Sequence, residues 1–227
     1  MTDQDRQLLR NRGSLANQVH RALSEMLLSG ELRPDDRISM RDLADRLGVS
    51  VMPVREAVAR LVAQQALTVL PNRAVAVPLL TRTEFRDLTE VRIHNERHAA
   101  ALAVQRVGPA DIAALRKLES AFAEALDAPD GRPAVRANKA LHFRIYAAAG
   151  SPVLVGVIGG LWLKAGPIIN LDLEEKGRRR RNAVSRSHHA MLVDALQARD
   201  TAAAADAIEA DIRSAAEFIL SRDILPS

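Results

Sequence analysis

Residues 41–61 read RDLADRLGVSVMPVREAVARL, and this stretch decides what the first part of the chain folds into. Leu43, Ala44 and Leu47 recur at helical spacing, which predicts a short helix from Met40 to Leu47. Ser39 precedes it with Asp42 three residues on, the pattern of an N-terminal cap. Gly48 stops that helix, since glycine takes the left-handed conformation that a tight exit needs. Ser50 then caps a second helix, Val51 to Gln64, with Pro53 in the first turn, where its missing N–H costs nothing. Val54, Val58, Leu61 and Val62 face inward. Two short helices around a glycine turn make a helix-turn-helix.

Upstream, Ser14 is placed to cap a helix whose apolar residues are Leu15, Val19, Leu23, Met26 and Leu27, with Gly30 at its end. Pro34, Asp35 and Asp36 mark a turn. Downstream, Leu67 to Leu70 and Ala74 to Val77 read as two strands around Pro71, Asn72 and Arg73, a hairpin wing. The order predicts a winged helix-turn-helix over residues 1–78. In such a fold the second helix enters the major groove with its N-terminal end nearest the base edges. That places Ser50, Val51, Met52 and Arg55 at the bases and Arg41 close by, with Asn72 and Arg73 at the wing tip. Arg55 lies one turn in, within reach of a guanine or a phosphate. One such arginine alone reads as a solvated charge; several at the groove-facing points of one motif read as a duplex-DNA surface.

From Thr81 no strand pattern appears. Thr81 to Glu84 is a capping box, and helices are predicted over 82–106, 109–127, 133–149, 152–169, 175–199 and 201–222. Short breaks at Gly108-Pro109, Pro129 to Gly131, Gly150 to Pro152, Asn170 to Asp172 and Asp200 make an antiparallel all-α bundle over 79–227. The fold class is mainly α. The apolar run Val153 to Leu163 falls short of the roughly 20 residues of a membrane helix. Gly156, Gly159 and Gly160 within it suggest a closely packed buried helix. The polar N-terminus lacks a signal-peptide core, so the chain reads as cytoplasmic, with no membrane partner.

Composition excludes more than it selects. With no cysteine, disulfides, thiolate metal sites and cysteine nucleophiles are impossible, and any metal must bind nitrogen and oxygen. The net charge of +4 is too small to point to nucleic acid by itself. A hydrophobic share of 48% supports a real core, and only 3% aromatics favours packed helices over sheets. Asn138 and His142 stand i, i+4 on one helix face, with His189 and Asp211 on the last two helices. If those helices pack together, two imidazoles and two oxygen donors converge on a divalent ion of the zinc, nickel or manganese type. Structural histidines are the plain alternative. His94 and His98 project away from Arg92 and read as surface residues. The run Arg178 to Arg181 reads as a solvated face rather than a second DNA contact.

Residues 15–77 resemble the winged helix of the GntR regulators, most specifically through the stretch quoted first. The resemblance implies that Arg41 and Arg55 contact DNA and that Ser50 starts the recognition helix. Val51 and Met52 depart from a common Arg and Thr, and Ala74 from the usual wing glycine; the first two are suited to thymine methyls. The region after Thr81 resembles the FadR-type C-terminal domain called FCD, through VRIHNE (91–96), NKALHFRIYAAAGSPVL (138–154) and HHAMLVDALQARDTAAAADAIEADI (188–212). Such domains often hold a metal through an Asp four residues before a His and two later histidines. The corresponding positions are Asn138, His142, His189 and Asp211, so two of the four ligands are replaced. Arg92 matches an arginine facing the same cavity, where it would bind a small organic acid; Glu96, one turn on, is its expected partner without ligand. A purely structural Arg92–Glu96 ion pair is the alternative.

The expected function is that of a homodimeric repressor on a palindromic operator, modulated by a carboxylate effector. The competing expectation is a helical metal-dependent hydrolase with an accessory DNA-binding domain. No second carboxylate beside the metal set stands ready as a general base, which counts against it.

Overall fold

A computed structural model describes residues 3–174 and 179–226, with side chains over 15–171, 173 and 183–226. The chain divides into two compact units, Met1–Leu79 and Leu80–Ser227.

The first unit contains α1 (Asp3–Leu28), β1 (Arg37–Ile38), α2 (Met40–Leu47), α3 (Val51–Ala63), β2 (Thr68–Val69) and β3 (Val75–Ala76). Its core is the meeting of α1 with α3 and of α2 with α3. Val19, Leu23 and Leu27 of α1 close on Leu43, Val54, Val58 and Leu61, all buried. Local chemistry places the two central helices. Ser39 Oγ accepts from the Asp42 amide at 3.0 Å, capping α2. Gly48 sits at φ 64°, and its amide closes the helix on Ala44 and Asp45. Ser50 is the N-cap residue of α3, but its side chain makes no capping bond.

Three expectations need correction here. Ser14 does not mark a helix start, because α1 runs continuously from Asp3; Gln7, Leu8, Leu9 and Arg10 are good helix formers and extend the helix ahead of it. The hairpin is not alone, since β1 adds to it in the antiparallel order β1-β3-β2. Arg37 pairs with Ala76 and Ile38 with Val75, so the turn after Pro34 feeds a strand. Val62 and Leu47 are half-buried rather than enclosed.

The second unit is the helical bundle: α4 (Arg82–Val104), α5 (Pro109–Ala125), α6 (Arg132–Ala148), α7 (Pro152–Glu174), α8 (Arg179–Ala198) and α9 (Thr201–Leu220). Helix α4 is the spine, packed on α9, α7 and α6, while α5 joins α6 and α8. Thr81 and Glu84 cap α4 reciprocally: the Glu84 amide donates to Thr81 Oγ1 at 3.2 Å and the Thr81 amide to Glu84 Oε2 at 2.8 Å. Pro109 opens α5 at its first turn. The bundle closes on itself where the Arg82 amide donates to the Pro226 carbonyl at 2.8 Å.

Helix α7 departs twice from expectation. It passes through Asn170 to Asp172 without a break, because Ile168, Ile169 and Leu173 extend its buried face by another turn. Its glycines do not mark close packing: a Cβ at Gly156, Gly159 or Gly160 would meet nothing within 4 Å. The inward line is instead Ile158, Trp162, Ala165 and Ile169, spaced as one helix face. Pro152–Leu171 is long and apolar enough by composition to cross a membrane, but that inward line is packed inside the bundle. The side chains of Arg178 to Arg181 lie outside the described residues.

Since Gly48 is left-handed, a β-carbon there is strained whatever space surrounds it. Gly48→Ala is expected to destabilise the first unit by about 1–2 kcal/mol. Urea unfolding followed by circular dichroism checks this; an unchanged midpoint would show that the α2–α3 turn does not depend on the glycine.

Candidate functional site

Five of the six bundle helices point polar groups into one interior. Buried together are Arg92 and Glu96 of α4, Asn138 and His142 of α6, His189 of α8 and Asp211 of α9. Each sits on the apolar face of its helix, so the same periodicity that builds the core delivers these groups to it. Trp162 of α7 and Tyr146 of α6 complete the set, both buried.

Of the four residues expected to converge, His142, His189 and Asp211 come within contact of one another. His142 Nε2 lies 3.1 Å from His189 Nε2 and 3.3 Å from Asp211 Oδ2, and His189 Nε2 lies 3.6 Å from that same oxygen. These three residues form a group of potential metal ligands, all buried. Ligand atoms about 2.0–2.2 Å from a shared ion, at tetrahedral or octahedral angles, stand roughly 2.8–3.6 Å from one another. The observed triangle therefore fits a divalent ion, and its nitrogen and carboxylate donors suit a zinc-like metal. Burial alone would raise the Asp211 carboxyl, but His189 and His142 hold it well below the usual carboxylate range. It is therefore an anion, as a ligand must be. Asn138 lines the same small cavity with Arg92, Trp162 and Ser185. Only about 20 Å³ of it is open to the centre of a water molecule, which is room for an ion and a water.

Arg92 and Glu96 form the expected pair, with Arg92 Nε donating to Glu96 Oε1 at 2.8 Å. The pair is not isolated. Trp162 Nε1 donates to Glu96 Oε1 at 3.2 Å, and the Tyr146 hydroxyl donates to Glu96 Oε2. The Arg92 guanidinium also lies over the Trp162 ring, 5.0 Å from its centroid. Tyr146 touches His142 as well, its oxygen 2.8 Å from Nδ1. Burial and then the Glu96 charge push the Tyr146 hydroxyl well above its ordinary value, so it keeps its proton.

Tyr146 and Trp162 were not among the residues singled out from sequence. A signal existed: they are the chain's single tyrosine and single tryptophan, and Tyr146 stands one turn after His142. His94 and His98 are exposed, as their position around α4 predicts.

In the first unit, Arg41, Ser50, Met52 and Arg55 are exposed and Val51 is half-exposed. Met52 is 49% accessible, so its side chain is free of the first unit's core. At the wing tip, Arg73 takes a left-handed φ of 65° and its amide donates to the Leu70 carbonyl at 2.8 Å. The Ala74 amide donates to Asn72 Oδ1 at 3.1 Å. The left-handed residue of the turn is thus Arg73, which is why Ala74 is tolerated where glycine is common.

Comparison with known proteins agrees with both halves. Residues 15–77 match the bacterial regulatory proteins of the gntR family, and residues 87–214 match the FCD domain. The chain is 33% identical to the HTH-type transcriptional regulator McbR of Escherichia coli K12, over 82% of this chain and 84% of that protein. It is 30% identical to the HTH-type transcriptional repressor GlaR of the same organism, over 82% of this chain and 87% of that protein. The solved structure of E. coli McbR/YncC matches with a TM-score of 0.85 at 28% identity, covering 91% of this chain and 97% of the other. A GntR structure from Rhodococcus sp. RHA1 shares the fold, with a TM-score of 0.73 at 22% identity, covering 92% and 98%. These families and relatives are transcriptional regulators, which removes the hydrolase alternative. A helix-turn-helix built on Gly48 and a helical bundle with a histidine–carboxylate interior thus identify the chain as a GntR-family transcriptional regulator with an FCD domain.

Proposed function

We propose that this regulator is a homodimeric repressor whose grip on a palindromic operator is set by a small carboxylate bound beside a divalent metal in the FCD bundle. The observation that carries the sensing half is the triangle of His142, His189 and Asp211 beside the buried Arg92, with Asn138 in the same cavity. A zinc-, nickel- or manganese-type ion there would supply positive charge to an effector carboxylate. Arg92 would take the other end of that carboxylate in a bidentate pair, displacing part of its contact with Glu96. The cavity admits little more than ion and water, so an organic acid enters only if bundle side chains shift. A ligand that binds one packing better than another is what moves a two-state equilibrium. A coupling of about 1–3 kcal/mol to DNA affinity suffices for a useful response.

The reading half rests on the GntR match and on the exposure of Arg41, Ser50, Met52 and Arg55 at the ends of α2 and α3. Arg55 and Arg41 take bases or phosphates, Val51 and Met52 take thymine methyls, and Asn72 and Arg73 follow the backbone or minor groove. Two copies would read half-sites about 34–36 Å apart. Repression, rather than activation, follows the printed role of the relative GlaR.

Two measurements test this. In a mobility-shift titration on DNA flanking the gene, Arg55→Ala is expected to weaken specific binding by about 10- to 100-fold with the helical signal unchanged. Equal affinity would remove Arg55 from the interface. By calorimetry, the wild type is expected to take up one zinc per chain and His142→Ala far less; equal uptake by the variant would place the metal elsewhere.

A further inference from the structure

The hydrogen bonds around Glu96 fix the Tyr146 proton and, through it, one proton of His142. Glu96 is fully buried against the guanidinium of Arg92, so it is a carboxylate and accepts only. Its Oε1 receives Arg92 Nε at 2.8 Å and Trp162 Nε1 at 3.2 Å. Its Oε2 receives Arg92 Nη2 at 3.4 Å and the Tyr146 hydroxyl. The tyrosine proton therefore points at Glu96, and its oxygen can only accept from the other side. What lies there, at 2.8 Å, is His142 Nδ1. That nitrogen must carry the hydrogen. In the neutral ring the opposite nitrogen, Nε2, then holds the lone pair, and it is the one facing His189 and Asp211.

We propose that Tyr146 is a positioning residue that, oriented by Glu96, fixes His142 in the Nδ1–H tautomer and so presents its Nε2 lone pair to the metal position. The consequence for metal affinity rests on the metal reading above; the tautomer itself does not. A neutral imidazole in water exchanges between two tautomers, and only one leaves Nε2 able to ligate. The relay removes the wrong one before any ion arrives. Outer partners of this kind typically alter metal affinity about 10- to 100-fold when removed.

The test uses the full-length, metal-free protein labelled with 15N in its histidine rings, together with zinc calorimetry. The wild type is expected to show His142 with Nδ1 protonated, and with Nε2 bare whenever the ring is neutral. Tyr146→Phe deletes one oxygen from a buried ring. It is expected to let His142 populate the Nε2–H form and to weaken zinc binding about 10- to 100-fold. Glu96→Gln is expected to do more. Its amide oxygen would face Arg92 and Trp162, and its NH2 would face Tyr146. The relay then runs backwards, the hydroxyl donates to Nδ1, and the proton moves to Nε2. A residue that merely fills space would not reverse the tautomer on an isosteric change. If Glu96→Gln does not fold with Arg92 left without its carboxylate, Tyr146→Phe carries the test. A wild-type His142 protonated on Nε2 alone overturns the inference. So does a Tyr146→Phe protein with tautomer and zinc affinity unchanged. Should the tautomer respond as expected while the wild type takes up no zinc, the relay stands and the metal reading falls.

Discussion

The bundle is organised around one buried carboxylate. Glu96 has no exposed surface, and a charge in that position is tolerable only when surrounded by donors. Those donors come from three helices: Arg92 from α4, Tyr146 from α6 and Trp162 from α7. Meeting them fixes the rotation of α6 and α7 against the spine to within hydrogen-bond tolerance, a precision apolar packing alone rarely imposes. Leu141, Ile145 and Ile158 then fill the space that this register leaves. Apolar burial provides most of the stabilisation, and the polar hub selects which packing is stabilised.

The second buried carboxylate, Asp211, does the same for the far side of His142. It draws α9 toward α6 and α8 through two imidazoles rather than through a guanidinium. His142 is therefore gripped at both ring nitrogens, by Tyr146 on one side and by Asp211 and His189 on the other. A ring so held cannot swing toward an incoming group; the group has to come to it.

How much of this could be read in advance depended on whether the determining contact was local. The α2–α3 turn was legible because Ser39, Gly48 and Pro53 act on their own backbone neighbours. Strand β1 was not, because two residues carry no period and Arg37-Ile38 becomes a strand only by pairing with β3. Likewise the end of α7 was misplaced: Asn170 to Asp172 look like a break, yet Leu173 still has core to reach. In the site, His142, His189 and Asp211 were legible through spacing aided by resemblance. Tyr146 and Trp162 were not, since their roles exist only where α4, α6 and α7 meet at Glu96.

The departures from the family's ligand pattern acquire a physical sense in this frame. The pattern carries one carboxylate on the helix of the first histidine; here that position is the neutral Asn138, and the carboxylate is Asp211 on α9. The count of negative ligands is unchanged, so a divalent ion would still leave the centre with net positive charge. Arg92 and Glu96 neutralise each other nearby and do not cancel that excess. What changes is its direction. With the anion on α9 and an amide on α6, the less neutralised side of a bound ion would face α6. An incoming carboxylate would be drawn toward the Asn138 side, where the cavity is also lined by Arg92 and Trp162. On the metal reading, the exchange of Asp and His for Asn and Asp would thus preserve an anion-seeking centre while turning the face it presents.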